Sequence, residues 1–235
     1  MATYRFLGVL HDDPLGVEPV RHQLVQLRQQ YGDPAMVAVE ADRDFHFEVV
    51  ERRPEFRQML ESTLRGAATP LAAGQLLDQC TDTLSFEGQL ALELVAQDSV
   101  LWLDHGRRGH SGSLMAFRLK LFKDALSAGP QAPLDRPWSV DISNAVAALA
   151  TISAARRQAA LQAPGIQGVD RDERWFNLLE GEALPDANCW IAIICGLAHA
   201  TQSGGDWTLR QRLIDNNRAT AAFYPAAQPP ANWYP

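Results

Sequence analysis

The chain has 235 residues, 46% of them apolar, and a formal net charge of −7, which supplies core for one large α/β domain or two small ones and excludes disorder as the default. The acidic balance argues against nucleic acid as a partner, because phosphate-backbone binding relies on clustered Lys and Arg. With no run of about eighteen apolar residues, no membrane partner is expected either.

The N-terminus enters a strand at once instead of showing a basic region followed by an apolar secretion segment, which suggests a soluble cytoplasmic protein. Tyr4 to His11 reads as a buried strand broken by Gly8, with a histidine three positions on. After a turn-rich loop, Glu18-Pro19 opens a helix whose apolar stripe is Val20, Leu24 and Leu27 and which stops near Gly32. Asp33-Pro34 then leads into a short apolar strand, Ala35 to Val39, ending at Glu40. Strand, helix and strand in this order form the βαβ pattern of a parallel sheet.

Residues 43 to 97 are helical in pattern, with breaks near Gly66, Thr69-Pro70 and Gly74, and Phe86, Leu90 and Leu94 repeat at the spacing of an amphipathic helix. A third strand, Val100 to Leu103, ends at Asp104. The basic, glycine-rich loop from Gly106 to Ser113 follows, either a holder for an anionic group or simply solvated, and then a helix from about Leu114 to Leu126. Gly129 to Pro137, with three prolines, is a connector and divides one 1–225 domain into halves at 1–128 and 137–225.

In the second half, Trp138 to Val140 reads as a fourth strand ending at Asp141, and an alanine-rich helix spans about Asn144 to Leu161. Asp170 to Leu179 forms a short acidic-capped helix. Trp190 to His199 is the most apolar strand in the chain and repeats the design of the first: β-branched and aromatic residues, a glycine, then a histidine three positions later. A polar turn at 201–206, a short helix at 208–214, a final strand at 219–224 and a proline-rich tail at 226–235 complete the chain. Cys80, Cys189 and Cys195 show neither a paired framework nor close ligand spacing, and read as reduced core residues.

The expected fold class is therefore α/β, with a mostly parallel central sheet flanked by helices. In such sheets ligands bind beyond the carboxyl ends of the strands, where this chain offers His11, Glu40, Asp104 and His199, with Asp141 as a further candidate. Two imidazoles and a carboxylate suit a divalent transition metal with an open position. Without metal, the same set supports general acid and base work.

These motifs have an order. Gly8-Val9-Leu10-His11 comes first, then an apolar strand ending in Glu40, then Phe86 to Glu93 followed by a strand ending in Asp104, then Asp172-Glu173-Arg174, and last Gly196-Leu197-Ala198-His199. The series resembles the TraB and TIKI family, which includes the pheromone-shutdown proteins and, more distantly, the erythromycin-esterase-like and ChaN-like proteins. The chain departs from it at Val9, at Ala200-Thr201-Gln202, and at Gln89, where some members carry a glutamate.

The resemblance implies a metal-dependent hydrolase of peptide, ester or amide bonds, taking manganese, cobalt or zinc and acting on a small-molecule or peptide substrate. His11 and His199 would be metal ligands or catalytic imidazoles, and Glu40 a ligand or general base. Arg174 would stabilise negative charge on a tetrahedral oxygen, and Asp104 would orient one histidine. The plainer alternatives are an ion pair of Arg174 with Asp170 or Glu173, and Glu40 as a helix cap. A different class of function is a non-catalytic protein that sequesters a peptide signal or a cofactor such as haem in the same pocket. A third is a silent member of a larger assembly, a homodimer included, with Trp233-Tyr234 of the tail at an interface.

Overall fold

A computed structural model describes residues 3–11, 13, 16–63, 70–106, 109–128, 151, 155, 159, 169–181, 189–200, 209–215 and 222–225. The strand expected at Trp138 to Val140, the candidate Asp141, most of the alanine-rich helix, Arg107 and Arg108, the turn at 201–206 and the tail lie outside them.

The elements, in chain order, are β1 (Thr3–Val9), α1 (Val17–Tyr31), β2 (Met36–Val39), α2 (Arg43–Glu51), α3 (Arg53–Thr63), α4 (Pro70–Asp82), α5 (Phe86–Leu94), β3 (Val100–Trp102), α6 (Ser111–Ala128), α7 (Val169–Gly181), β4 (Trp190–Gly196), α8 (Leu197–Ala200), α9 (Leu209–Asp215) and β5 (Ala222–Pro225). The fold is α/β, with a five-stranded sheet in the order β3-β2-β4-β1-β5 and every pairing parallel. Gly66 and Thr69 lie outside the described residues, α3 ends at Thr63 and Pro70 begins α4, where its missing N–H costs nothing, but Gly74, expected as a break, lies inside that helix.

Both faces of the sheet are buried. Because successive side chains of a strand point to opposite faces, Ile191, Ile193 and Cys195 of β4 join Tyr4, Phe6 and Ala38 against Trp175, Phe176 and Leu179 of α7. Trp190, Ala192 and Ile194 join Leu7, Val9, Val37 and Val39 against Val20, Leu24 and Leu27 of α1 and Phe86, Leu90 and Ala91 of α5. A strand covered on both sides must be apolar throughout, and all seven residues of β4 are buried. β4 pairs with β1 over Thr3↔Trp190 to Val9↔Gly196 and with β2 over Met36↔Ile191 to Val39↔Ile194. This register sets the ends of β1, β2 and β4 level with one another at one edge of the sheet.

Helix ends use local signals. Gly32 closes α1 with φ of 77°, a left-handed conformation that favours glycine, and its N–H returns to the Arg28 carbonyl. Its own carbonyl accepts from Trp190 Nε1 at 3.1 Å, tying the start of β4 to the entry of β2. Asp42 caps α2 by accepting the Phe45 N–H at 2.8 Å.

Candidate functional site

His11, Glu40 and His199 meet at the carboxyl edge of the sheet. His11 stands in the turn two residues beyond β1, Glu40 directly after β2, and His199 in the single helical turn α8 that begins where β4 ends. The apolar strand therefore stops at Gly196 and the chain coils before delivering its histidine.

Glu40 is the centre of the arrangement. Its Oε2 accepts the Gly196 N–H at 2.6 Å and lies 3.5 Å from His11 Nε2. Its Oε1 lies 2.7 Å from Arg171 Nη2 and 3.6 Å from His199 Nε2. Two imidazoles from opposite ends of the chain thus turn the same ring nitrogen toward one carboxylate. Glu40 is no helix cap, because Asp42 fills that place.

Each ring is gripped from behind. His11 Nδ1 and Glu87 Oε1 are 2.6 Å apart, and His199 Nδ1 and Asp172 Oδ1 are 2.7 Å apart. An ionised carboxylate can only accept, so each Nδ1 donates and each Nε2 is left facing Glu40. Asp172 is itself fixed, its other oxygen taking the Leu209 N–H at 3.0 Å. The His199 ring is almost fully enclosed and lies 4.5 Å, centroid to centroid, from Trp175. The His11 side chain is 40% exposed, and its carbonyl accepts from Arg118 at 2.6 Å.

The arginine beside Glu40 is Arg171, and Arg174 stands one shell further out. Arg171 bonds both oxygens of Asp104 and lies over the Trp175 ring at 4.6 Å. Arg174 donates to the Leu103 carbonyl at 3.1 Å and approaches Asp104 at 3.4 Å, while Glu173 meets Arg212 instead. Asp104 also accepts from Trp175 Nε1 at 3.1 Å. Its described hydrogen bonds thus orient arginines and an indole, and the histidines are oriented by Glu87 and Asp172.

Charge follows from this geometry. Burial opposes charging His11, but the Glu40 and Glu87 carboxylates outweigh it and lift the ring from 6.5 to about 10. Burial likewise opposes ionising Glu40, yet His11, His199 and Arg171 hold it down, from 4.5 to about 2. Among the described residues, the carboxylates of Glu40, Glu87, Asp104 and Asp172 are linked to the two imidazoles and to the guanidinium groups of Arg171 and Arg174.

Among the described residues no three His, Cys, Asp or Glu side chains are drawn together closely enough to hold a metal ion as they stand. His11 Nε2, His199 Nε2 and Glu40 come nearest to a ligand set. Their separations from Glu40, 3.5 and 3.6 Å, are too long for hydrogen bonds. They lie slightly above the roughly 3.3 Å that separates two ligands each about 2.0 Å from a tetrahedral zinc. In donor type the three side chains fit a divalent transition metal.

Three residues of the network, Glu87, Arg171 and Asp172, were not nominated by the strand ends. One signal was available: Glu87 places a charge beside Phe86, Leu90 and Ala91 of α5, and all four are buried. In comparisons with known proteins, the chain matches no family model, no curated protein and no solved structure.

Proposed function

We propose that the protein is a cytoplasmic metal-dependent hydrolase of a peptide, ester or amide bond, in keeping with its resemblance to the TraB and TIKI family. One observation carries the reading: two imidazoles, each tied at Nδ1 to its own carboxylate, present Nε2 to the same glutamate. Carboxylate-backed histidines of this kind are the usual support of a metal site, because the outer carboxylate fixes the ring and raises its basicity. His11, His199 and Glu40 would hold manganese, cobalt or zinc. When bound, such a metal supplies Lewis acidity, activating water and polarising a carbonyl.

The chain's own residues do the rest. Glu87 and Asp172 fix the tautomer of each ring. Arg171, held in place by Asp104 and Glu40, offers a preorganised positive charge to an oxygen that becomes negative during acyl transfer. We assign that task to Arg171 in preference to Arg174, since Arg171 is the guanidinium against Glu40. Arg174 and Trp175 keep Asp104 in position.

The test is elemental analysis of untagged protein, together with thermal unfolding in manganese, cobalt or zinc. The expected result is about one metal per chain and a rise in Tm, both lost in His11→Ala; a metal at a hundredfold over its Kd stabilises by about 2.7 kcal/mol. Neither metal nor shift would favour a second reading, sequestration of a peptide signal or a cofactor such as haem without turnover. That reading draws support from Glu40 itself, whose two oxygens already accept the Gly196 N–H and meet Arg171.

A further inference from the structure

Ser85 is the only residue other than glycine with a positive φ among the described residues, at φ 56° and ψ 42°. A side chain in this left-handed region costs energy and persists only where the surroundings enforce it. Here hydrogen bonds fix Ser85 itself and the turn just before it. The Ser85 hydroxyl and His46 Nδ1 share a hydrogen bond of 2.7 Å. Arg53 Nη2 donates to the carbonyl of Leu84 at 2.8 Å, and Thr83 Oγ1 to that of Cys80 at 2.7 Å.

His46 is held just as firmly. It is 1% exposed, in α2, with its ring centroid 5.3 Å from that of Trp102 on β3. A Cβ on Gly88 would stand only 2.4 Å from His46 Nδ1, so the ring rests directly on the backbone of α5. Burial, and then the Arg53 charge, push the ring down to about 4, which keeps it neutral. His46 therefore grips the first turn of α5 at Ser85 and at Gly88. Between these two points lies Glu87, the carboxylate that holds His11.

We propose that Ser85 and His46 are positioning residues that set where Glu87 stands and, through it, how the His11 ring is held. That the held ring serves catalysis rests on the hydrolase reading; that it is held from this side of the molecule does not.

The experiment is proton NMR of the full-length, metal-free protein in the far-downfield region, where imidazole N–H protons bonded to carboxylates resonate. Wild type should show two such signals, one removed by Glu87→Gln and the other by Asp172→Asn. Ser85→Ala should displace or abolish the Glu87-dependent signal and leave the Asp172-dependent one in place, which a general loosening of the fold would not do. If Ser85→Ala does not fold, Ser85→Gly, which accepts the left-handed backbone freely, is read instead.

An unmoved Glu87-dependent signal in whichever variant folds overturns the proposal, and so does a wild type that lacks that signal. Should the hydrolase reading hold as well, the folded variant loses about 10- to 100-fold in metal affinity or activity, the range of an outer-shell defect. Failure of the hydrolase reading would remove that second effect and leave the NMR result standing.

Discussion

At the scale of single residues, the two strand-end histidines play different parts. His199 is sealed between Asp172 and Trp175, whereas the His11 side chain is 40% open to solvent. His11 and Glu40 should therefore leave a mark on the pH dependence of the metal-free protein. The His11 pKa is raised from 6.5 to about 10 on folding, so its contribution is fully present below pH 6.5 and is lost as pH rises toward 10. The Glu40 pKa is lowered from 4.5 to about 2, so its contribution is present above pH 4.5 and is lost as pH falls toward 2. In chelator, the difference in Tm between wild type and His11→Gln should be widest between these windows and shrink as pH rises from 6.5. A constant difference from pH 6 to 10 would mean that the ring is not held charged by its neighbours.

At the scale of elements, the glycine of the second Gly-x-x-His motif has a physical reason. Gly196 ends β4 and gives its N–H to Glu40, and a Cβ there would stand 2.8 Å from His11 Nε2 and 3.2 Å from Glu40 Oε2. The glycine lets the strand end touch the histidine delivered by the other motif. Gly196→Ala should displace His11 and, under the hydrolase reading, reduce metal affinity at least tenfold, as loss of a supporting contact does. Isothermal titration of the variant checks this, and unchanged affinity would sever the glycine from the site.

Much of this was legible in the chain. His11, Glu40 and His199 stood out because each follows an apolar strand, and apolar runs ending together in a parallel sheet point to one edge. Glu87, Arg171 and Asp172 were not, because they belong to α5 and α7, helices packed on opposite faces of the sheet. How far a helix side chain reaches past the sheet edge depends on packing between elements remote in sequence. Arg171 and Arg174, about one helical turn apart, show the difficulty: both approach Asp104, and Arg171 is the one that meets Glu40.

At the scale of the whole molecule, strand order was the hidden quantity. The run β1-α1-β2 reads as a βαβ unit of a parallel sheet, which leaves open what lies between its strands, and β4 lies there. β1 pairs with β4 and β5, and β2 with β3 and β4, so β1 and β2 share no ladder. A fragment of residues 1–181 should consequently fail to form the sheet. Its β1 amides would exchange with solvent at unprotected rates, whereas in the full chain β1, β2 and β4 should be the slowest to exchange. Protected β1 amides in the fragment would mean that β1 and β2 can pair without β4.

The late arrival of β4 also bears on when the protein becomes competent. β4 separates the strands that carry His11 and Glu40, so these two side chains and His199 share one site only when residues 190–199 are in place. Whatever the site does to its ligand therefore depends on β4 being in place, and a product lacking residues 190–199 should be inactive.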